Sequence, residues 1–236
     1  MKYIIFNWKS YLNLTETLKL SNLVNKLPNT KKYKFIYSPN ILFTSLIKSR
    51  FPKSNLSTQN IDIFGRGAYT GSIDISLIKD LKIKFSLLGH SEVRSNLLET
   101  DQLVAAKLNQ CMDHQITPIV CIGETLNIYK SKKTKNFLNN QISTIFSKKN
   151  KYQEVILAYE PIWSIGTGLT PQMSEINEIC SFLTNILKKY SFKKINILYG
   201  GSVNLDNIKD ILNLPSVDGV LVGSASIKAS FIKFFK

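Results

Sequence analysis

What the 236-residue sequence lacks narrows its class before any motif is read. No stretch approaches the roughly 18 uncharged apolar residues of a membrane-spanning helix. The N-terminus, with Lys2 and then Asn7-Trp8-Lys9, has neither the apolar core nor the small-residue cleavage site of a signal peptide. A cytoplasmic protein is expected. Cysteines number three, Cys111, Cys121 and Cys180, far apart and without a C-x-x-C or Cys/His cluster. That excludes a disulfide framework and a zinc site. Arginine is scarce too: three (Arg50, Arg66, Arg94) stand beside 28 lysines in a net charge of +15. Planar readers of phosphate and guanine favour arginine, and the lysines are scattered, so the excess reads as a solvated basic surface and not as a nucleic-acid interface. Steering of a small anionic substrate remains open to it.

The 44% hydrophobic and 11% aromatic content is that of a globular chain. Short β-branched and aromatic runs alternate with helical periodicity. Strands are expected at Tyr3 to Trp8, Phe35 to Ser38, Leu56 to Gln59, Phe85 to Gly89, Pro118 to Ile122, Val155 to Tyr159, Ile195 to Tyr199 and Gly219 to Val222. Helical stretches are expected at Thr15 to Asn25, after Pro39, and at Ile73 to Leu81, Thr100 to His114, Leu126 to Ser147, Pro171 to Lys189, Ile208 to Leu212 and Ser226 to Phe235. Strands apolar on both faces, each followed by a helix, predict a parallel sheet with crossover helices. Eight such units favour closure into a single-domain (β/α)8 barrel over residues 1–236. The open doubly wound alternative lacks its G-x-G-x-x-G: Gly65, Gly67 and Gly71 are spaced otherwise and follow the third strand.

Unusual polar residues and glycines gather at the C-terminal ends of these strands. Asn7 and Lys9 share a side at the end of the first; His90 ends the fourth and Glu160 the sixth. Gly200-Gly201-Ser202 follow the seventh and Gly223-Ser224 the eighth. In a closed barrel that rim gathers the βα loops, and loops seven and eight frequently hold phosphate. Singly, each residue has a plainer reading: a surface lysine, a structural histidine, a glycine turn. Together, a carboxylate, an imidazole and an ammonium beside glycine N–H groups suit proton transfer α to a carbonyl on a phosphorylated substrate. The Pro161-to-Gly168 segment, opening on a rigid residue and closing on flexible ones, has the form of a lid.

Asn7-Trp8-Lys9, Leu88-Gly89-His90-Ser91-Glu92, Cys121-Ile122-Gly123-Glu124, Tyr159-Glu160-Pro161-Ile162-Trp163-Ser164-Ile165-Gly166-Thr167-Gly168, Tyr199-Gly200-Gly201-Ser202-Val203 and Val222-Gly223-Ser224 resemble the triosephosphate isomerase family along essentially the whole chain. The resemblance implies Glu160 as the carbon base, His90 as neutral electrophile and oxygen proton shuttle, and Lys9 as the cation. It implies Asn7 as a substrate contact and Gly166, Ser202, Gly223 and Ser224 as phosphate donors. Glu92 would lie behind Lys9 and His90, with Ser91 helping to start a short helix, and Glu124, Trp163 and Tyr199 would hold the lid. The family is the type example of both the neutral histidine and the closing loop, so those roles rest on the resemblance alone. It also implies no cofactor, no metal, a glycolytic and gluconeogenic role, and a homodimer in which the loop Gly65 to Ser72 enters the neighbouring subunit and Thr70 approaches its Asn7. Three positions depart from the family: Ser224 stands for a glycine, and Ser72 and Val93 stand for a Glu and an Arg. Two rival readings stand beside it: a different phosphate-handling barrel isomerase or lyase, against which the intact Asn7/Lys9/His90/Glu160 set speaks, and a non-enzymatic basic protein that binds nucleic acid on its lysine-rich surface, a role that catalysis would not exclude.

Overall fold

Short apolar runs become the cores of strands here because parallel strands are covered on both faces. The computed structural model describes residues 1–28, 30–147, 151–167 and 169–236. Its strands are β1 (Lys2–Asn7), β2 (Tyr33–Ser38), β3 (Ser57–Thr58), β4 (Phe85–Leu88), β5 (Thr117–Ile122), β6 (Lys151–Tyr159), β7 (Ser191–Tyr199) and β8 (Gly219–Val222). All neighbours pair in parallel in the order β2-β1-β8-β7-β6-β5-β4-β3. A single parallel bridge, Tyr37 to Leu56, joins the two ends, so the sheet closes into a barrel through its weakest seam. The helices are α1 (Leu14–Asn25), α2 (Ile41–Arg50), α3 (Ile75–Asp80), α4 (Ser91–Asn96), α5 (Asp101–Asp113), α6 (Leu126–Lys130), α7 (Thr134–Ile145), α8 (Met173–Leu187), α9 (Ile208–Asn213) and α10 (Ala229–Lys233).

Strand periodicity divides the core into two layers. Tyr3, Ile5, Ile36, Leu87, Ile119, Cys121, Ile156, Ala158, Leu198 and Leu221 fill the barrel lumen. Their neighbours Ile4, Phe6, Leu88, Val120, Leu157 and Val220 point outward and pack with helical Val104, Leu138, Ile176, Leu183 and Ile211. Helix starts are written in the sequence: Asn13 and Glu16 form a reciprocal capping box on α1, and Asn40, Asp74 and Thr100 cap α2, α3 and α5.

Four expectations shift. The stretch Leu126 to Ser147 is two helices, because Lys132 takes a left-handed conformation (φ 57°) and breaks the helix between α6 and α7. Strands β6 and β7 begin four residues earlier than their apolar cores, pairing from Lys151 opposite Ser191. Strand β3 shrinks to two residues. The last helix starts at Ala229, behind a 3-10 turn at Ser224–Ile227.

Candidate active site

Alternation along the strands decides which residues reach the C-terminal mouth of the barrel. Asn7 continues the lumen side of Tyr3 and Ile5, and Glu160 continues that of Ile156 and Ala158. Gly123, Gly200 and Gly223 occupy the same lumen positions on β5, β7 and β8. A Cβ on Gly200 would sit 2.8 Å from Glu160 Cγ, one on Gly123 would overlap the Glu160 carbonyl, and one on Gly223 would press Lys9 Cε at 3.3 Å. These glycines are the space that Glu160 and Lys9 occupy.

His90 and Lys9 need more than alternation. By parity with outward-facing Leu88, His90 belongs outside the barrel; the left-handed turn at Gly89 (φ 69°) brings it to the mouth. The Lys9 backbone is itself left-handed (φ 50°), a conformation that disfavours a Cβ. Gln59 Nε2 holds it there, donating to the Lys9 carbonyl at 2.7 Å and the Ser38 carbonyl at 2.9 Å, while Asn7 Oδ1 accepts from the Lys9 N–H at 3.1 Å.

Asn7, Lys9, His90 and Glu160 line one cavity of about 90 Å³, together with Gly166, Ser202, Gly223 and Ser224. Glu160 is 2% exposed and His90 6%. The Glu160 Oε1 lies 3.6 Å from His90 Nε2, and its Oε2 accepts from the Ser91 N–H at 3.4 Å. The Lys9 ammonium lies 2.5 Å from Glu92 Oε1. On its other side, His90 Nδ1 accepts the Glu92 N–H at 3.2 Å. An accepting Nδ1 leaves the ring proton on Nε2, the nitrogen that faces Glu160 and the cavity. His90 is thus its own cap for α4, and Ser91 is only the first helical residue.

Gly166, Ser202, Gly223 and Ser224 complete the lining. Ser224 opens the 3-10 turn and is not among the non-glycine residues with positive φ, so the side chain in place of the family's glycine meets no backbone strain. The Ser202 N–H is engaged: it donates to Ser164 Oγ at 3.2 Å. Ser164 Oγ also donates to the Leu169 carbonyl at 2.6 Å and lies 3.2 Å from the Tyr199 hydroxyl, so one lid hydroxyl ties β7 to the lid exit. Gly168 lies outside the described residues.

Trp163 and Glu124 meet at the lid entry. Glu124 Oε1 accepts from the Trp163 indole at 3.0 Å and from the Tyr159 hydroxyl at 3.1 Å. Its Oε2 is buried without a partner among the described residues, and burial pushes the carboxyl above its ordinary range.

Two supporting residues escaped the reading by motif, Gln59 and Arg94. The Arg94 guanidinium donates to the Gly89 carbonyl (2.7 Å), Asp101 (2.7 Å) and the Cys121 carbonyl (3.3 Å), which clamps the turn that delivers His90. The available signal was scarcity: an arginine kept among 28 lysines, four residues after the histidine, marks a place that needs a fork of donors. Among the described residues no group of three or more His, Cys, Asp or Glu side chains is placed to hold a metal ion, and no helix is long and apolar enough to cross a membrane.

Comparison with known proteins adds an independent line. Residues 2–236 match the profile of the family Triosephosphate isomerase. The triosephosphate isomerase of Francisella tularensis subsp. holarctica (strain FTNF002-00 / FTA) is 39% identical over 236 residues, covering 97% of this chain and 93% of the relative. That of Mesomycoplasma hyorhinis is 38% identical over 237 residues, covering 98% and 96%. A barrel of this topology, a mouth built from these residues and a match along nearly every position lead to one statement: the chain belongs to the triosephosphate isomerase family.

Proposed function

We propose that this protein interconverts dihydroxyacetone phosphate and D-glyceraldehyde 3-phosphate, the isomerisation named by its relatives, in glycolysis and gluconeogenesis. The observation that carries the reading is a buried carboxylate, an imidazole whose Nδ1 accepts a backbone N–H and whose Nε2 faces that carboxylate, and an ammonium, gathered in one cavity with Gly166, Ser202, Gly223 and Ser224. With the phosphate held at Gly223, Ser224, Gly166 and Ser202, the three-carbon end points at Glu160. Glu160 takes a proton from the carbon next to the carbonyl, leaving an enediolate. His90 gives its Nε2 proton to the developing oxyanion and takes the proton of the neighbouring hydroxyl in return, which moves the enediolate charge from one oxygen to the other, while Lys9, beside Asn7, offsets that charge. Glu160 then returns the proton to the adjacent carbon. Hydrogen moves within one molecule, so the balance calls for no outside oxidant or reductant. Because Ser164 occupies the Ser202 N–H, full phosphate capture requires the lid to release it.

The protein works as one (β/α)8 unit over residues 1–236, and its partner is a second copy of itself. Exposed Tyr11, Leu42, Tyr69, Leu97 and Leu98, all in segments that follow β1 to β4, support a homodimer formed beside the barrel mouth. Three free and buried thiols suit a reducing compartment, and we place the protein in the cytoplasm. The test is a coupled assay with glyceraldehyde 3-phosphate. Wild type turns over, and Glu160→Gln loses about 10²- to 10⁴-fold while still binding a phosphorylated inhibitor. A Glu160→Gln enzyme keeping over a tenth of the rate sinks the assignment.

A further inference from the structure

The lid tryptophan has two partners, and only one of them belongs to the motifs. Besides its bond to Glu124, Trp163 packs its ring on Tyr129, with centroids 4.3 Å apart and planes 31° from parallel. Tyr129 lies on α6, outside the cavity and outside every segment that carries the resemblance. Its hydroxyl donates to Glu175 Oε1 at 2.9 Å. Glu175 in turn accepts the Gln172 N–H on its other oxygen, at 2.8 Å, as the cap of α8. Helix α8 is the element into which the lid's exit runs. One half-buried phenol ring thus connects the outward face of the lid to the barrel wall on one side and to the anchor of the lid's exit on the other.

We propose that Tyr129 is a positioning residue that clamps Trp163 and holds the lid off the substrate, setting the balance between lid positions and so the affinity for ligand. This rests on reading Pro161 to Thr167 as the segment that closes over the cavity. Trp163 and Ser164 belong to one 3-10 turn, Ile162–Ser164. A movement that carries Ser164 off the Ser202 N–H, as phosphate capture requires, therefore carries the indole of Trp163 with it. The Tyr129 contact is made in the present position and lost in that movement. A contact present in only one of two states taxes binding to the other by its own equilibrium factor. An offset aromatic pair is worth about a 2- to 10-fold factor. The tax falls on every ligand that needs the closed lid, and on none that does not.

Three variants separate the clamp from general damage: Tyr129→Ala removes the ring, Tyr129→Phe keeps it and drops the bond to Glu175, and Tyr129→Leu keeps bulk without a π face. Each is made with Trp8→Phe, so that Trp163 is the only indole. The probes are 2-phosphoglycolate, whose carboxylate imitates the enediolate, and inorganic phosphate, which is too small to reach both ends of the cavity. Tyr129→Ala and Tyr129→Leu are expected to bind 2-phosphoglycolate about 2- to 10-fold more tightly, with KM lowered in step, phosphate affinity raised by the same factor because its capture needs the same movement, and the free-state Trp163 emission moved toward its ligand-bound value. Tyr129→Phe should stay near wild type. Unchanged or weaker 2-phosphoglycolate binding by both ring-less variants overturns the clamp, as does a gain for 2-phosphoglycolate that phosphate does not share. If wild type binds neither probe, the isomerase reading fails instead. The clamp is then judged on the free protein, where Trp163 emission identical in Tyr129→Ala and Tyr129→Phe overturns it. Thermal melts of all three variants identify any that is misfolded, and the remaining ring-less variant decides.

Discussion

Glu160 keeps its place because its neighbours have no side chains to contest it. Gly200→Ala sets a methyl group 2.8 Å from Glu160 Cγ and moves the carboxylate off its line to the substrate. Misplacement on this scale is expected to lower kcat by about 10- to 100-fold while inhibitor binding, governed by Gly166, Ser202, Gly223 and Ser224, changes little. Steady-state kinetics beside an inhibitor titration reads both, and equal losses in the two would mean that the methyl disrupts the whole mouth. Glu124 yields a prediction in pH. Burial raises its carboxyl, so the native state holds this proton more tightly than the unfolded chain does. Its contribution to stability is therefore full below the ordinary carboxylate range and falls as pH climbs from there to the raised value. Glu124→Gln keeps an oxygen acceptor for Trp163 and Tyr159 and removes the charge. Urea midpoints at about pH 5 and pH 8 should differ less in the variant than in wild type, the gap closing from the pH 8 side. A variant that is destabilised at both values contradicts it.

Whole elements carry their own requirements. The turn after β4 is held by Arg94, and the loop that follows α4 is held by a buried pair in which Lys107 Nζ donates to Glu99 and, at 2.9 Å, to Asn60 Oδ1. The pair joins the loop before α5 to its second turn and to the residue after Gln59, so it braces the loops that carry both His90 and the Lys9 support. Lys107→Met leaves Glu99 buried without a cation and is expected to cost about 3–5 kcal/mol. Lys107→Met with Glu99→Met should cost markedly less, because no charge is stranded. Chemical denaturation of the two variants distinguishes an ion pair that braces the loops from apolar packing by the lysine stem, for which the single change would be mild.

For the molecule as a whole, the charge of +15 and the exposed apolar residues of the first four βα loops point to different interactions. The loop between β3 and α3 is built within its own chain: Phe64 and Tyr69 stack at 4.4 Å, and Asp62 accepts from the Ser72 hydroxyl at 3.0 Å and the Ile73 N–H at 2.6 Å. Ser72, in place of the family's glutamate, has a use inside the loop, and a carboxylate there would face Asp62. The loop is therefore shaped before any partner arrives. Thr70→Asp, at its exposed tip, is expected to halve the mass in sedimentation and to lower activity by at least about 10-fold without loss of helical signal, since a desolvated charge is costly at a close-packed contact. A dimer of undiminished affinity would mean that the copies meet elsewhere.

Composition and periodicity alone determined the alternation of eight strands and helices, the C-terminal end of each strand to within a residue and, through the motifs, the residues gathered there. These are local properties: a run buried on both faces, a cap, a glycine at a turn. Only the tertiary structure decided where β6 and β7 begin, since their first residues are held by pairing with each other and not by their own apolar character. It alone decided that Lys132 divides a helix and that His90 faces inward against the parity of its strand, because a left-handed residue reverses a direction that alternation would otherwise extend. The same holds for Gln59, Arg94 and Tyr129. Each acts on a residue far away in the chain, through the Lys9 carbonyl, the Cys121 carbonyl and the Trp163 ring, and contacts of that kind exist only once the barrel has closed.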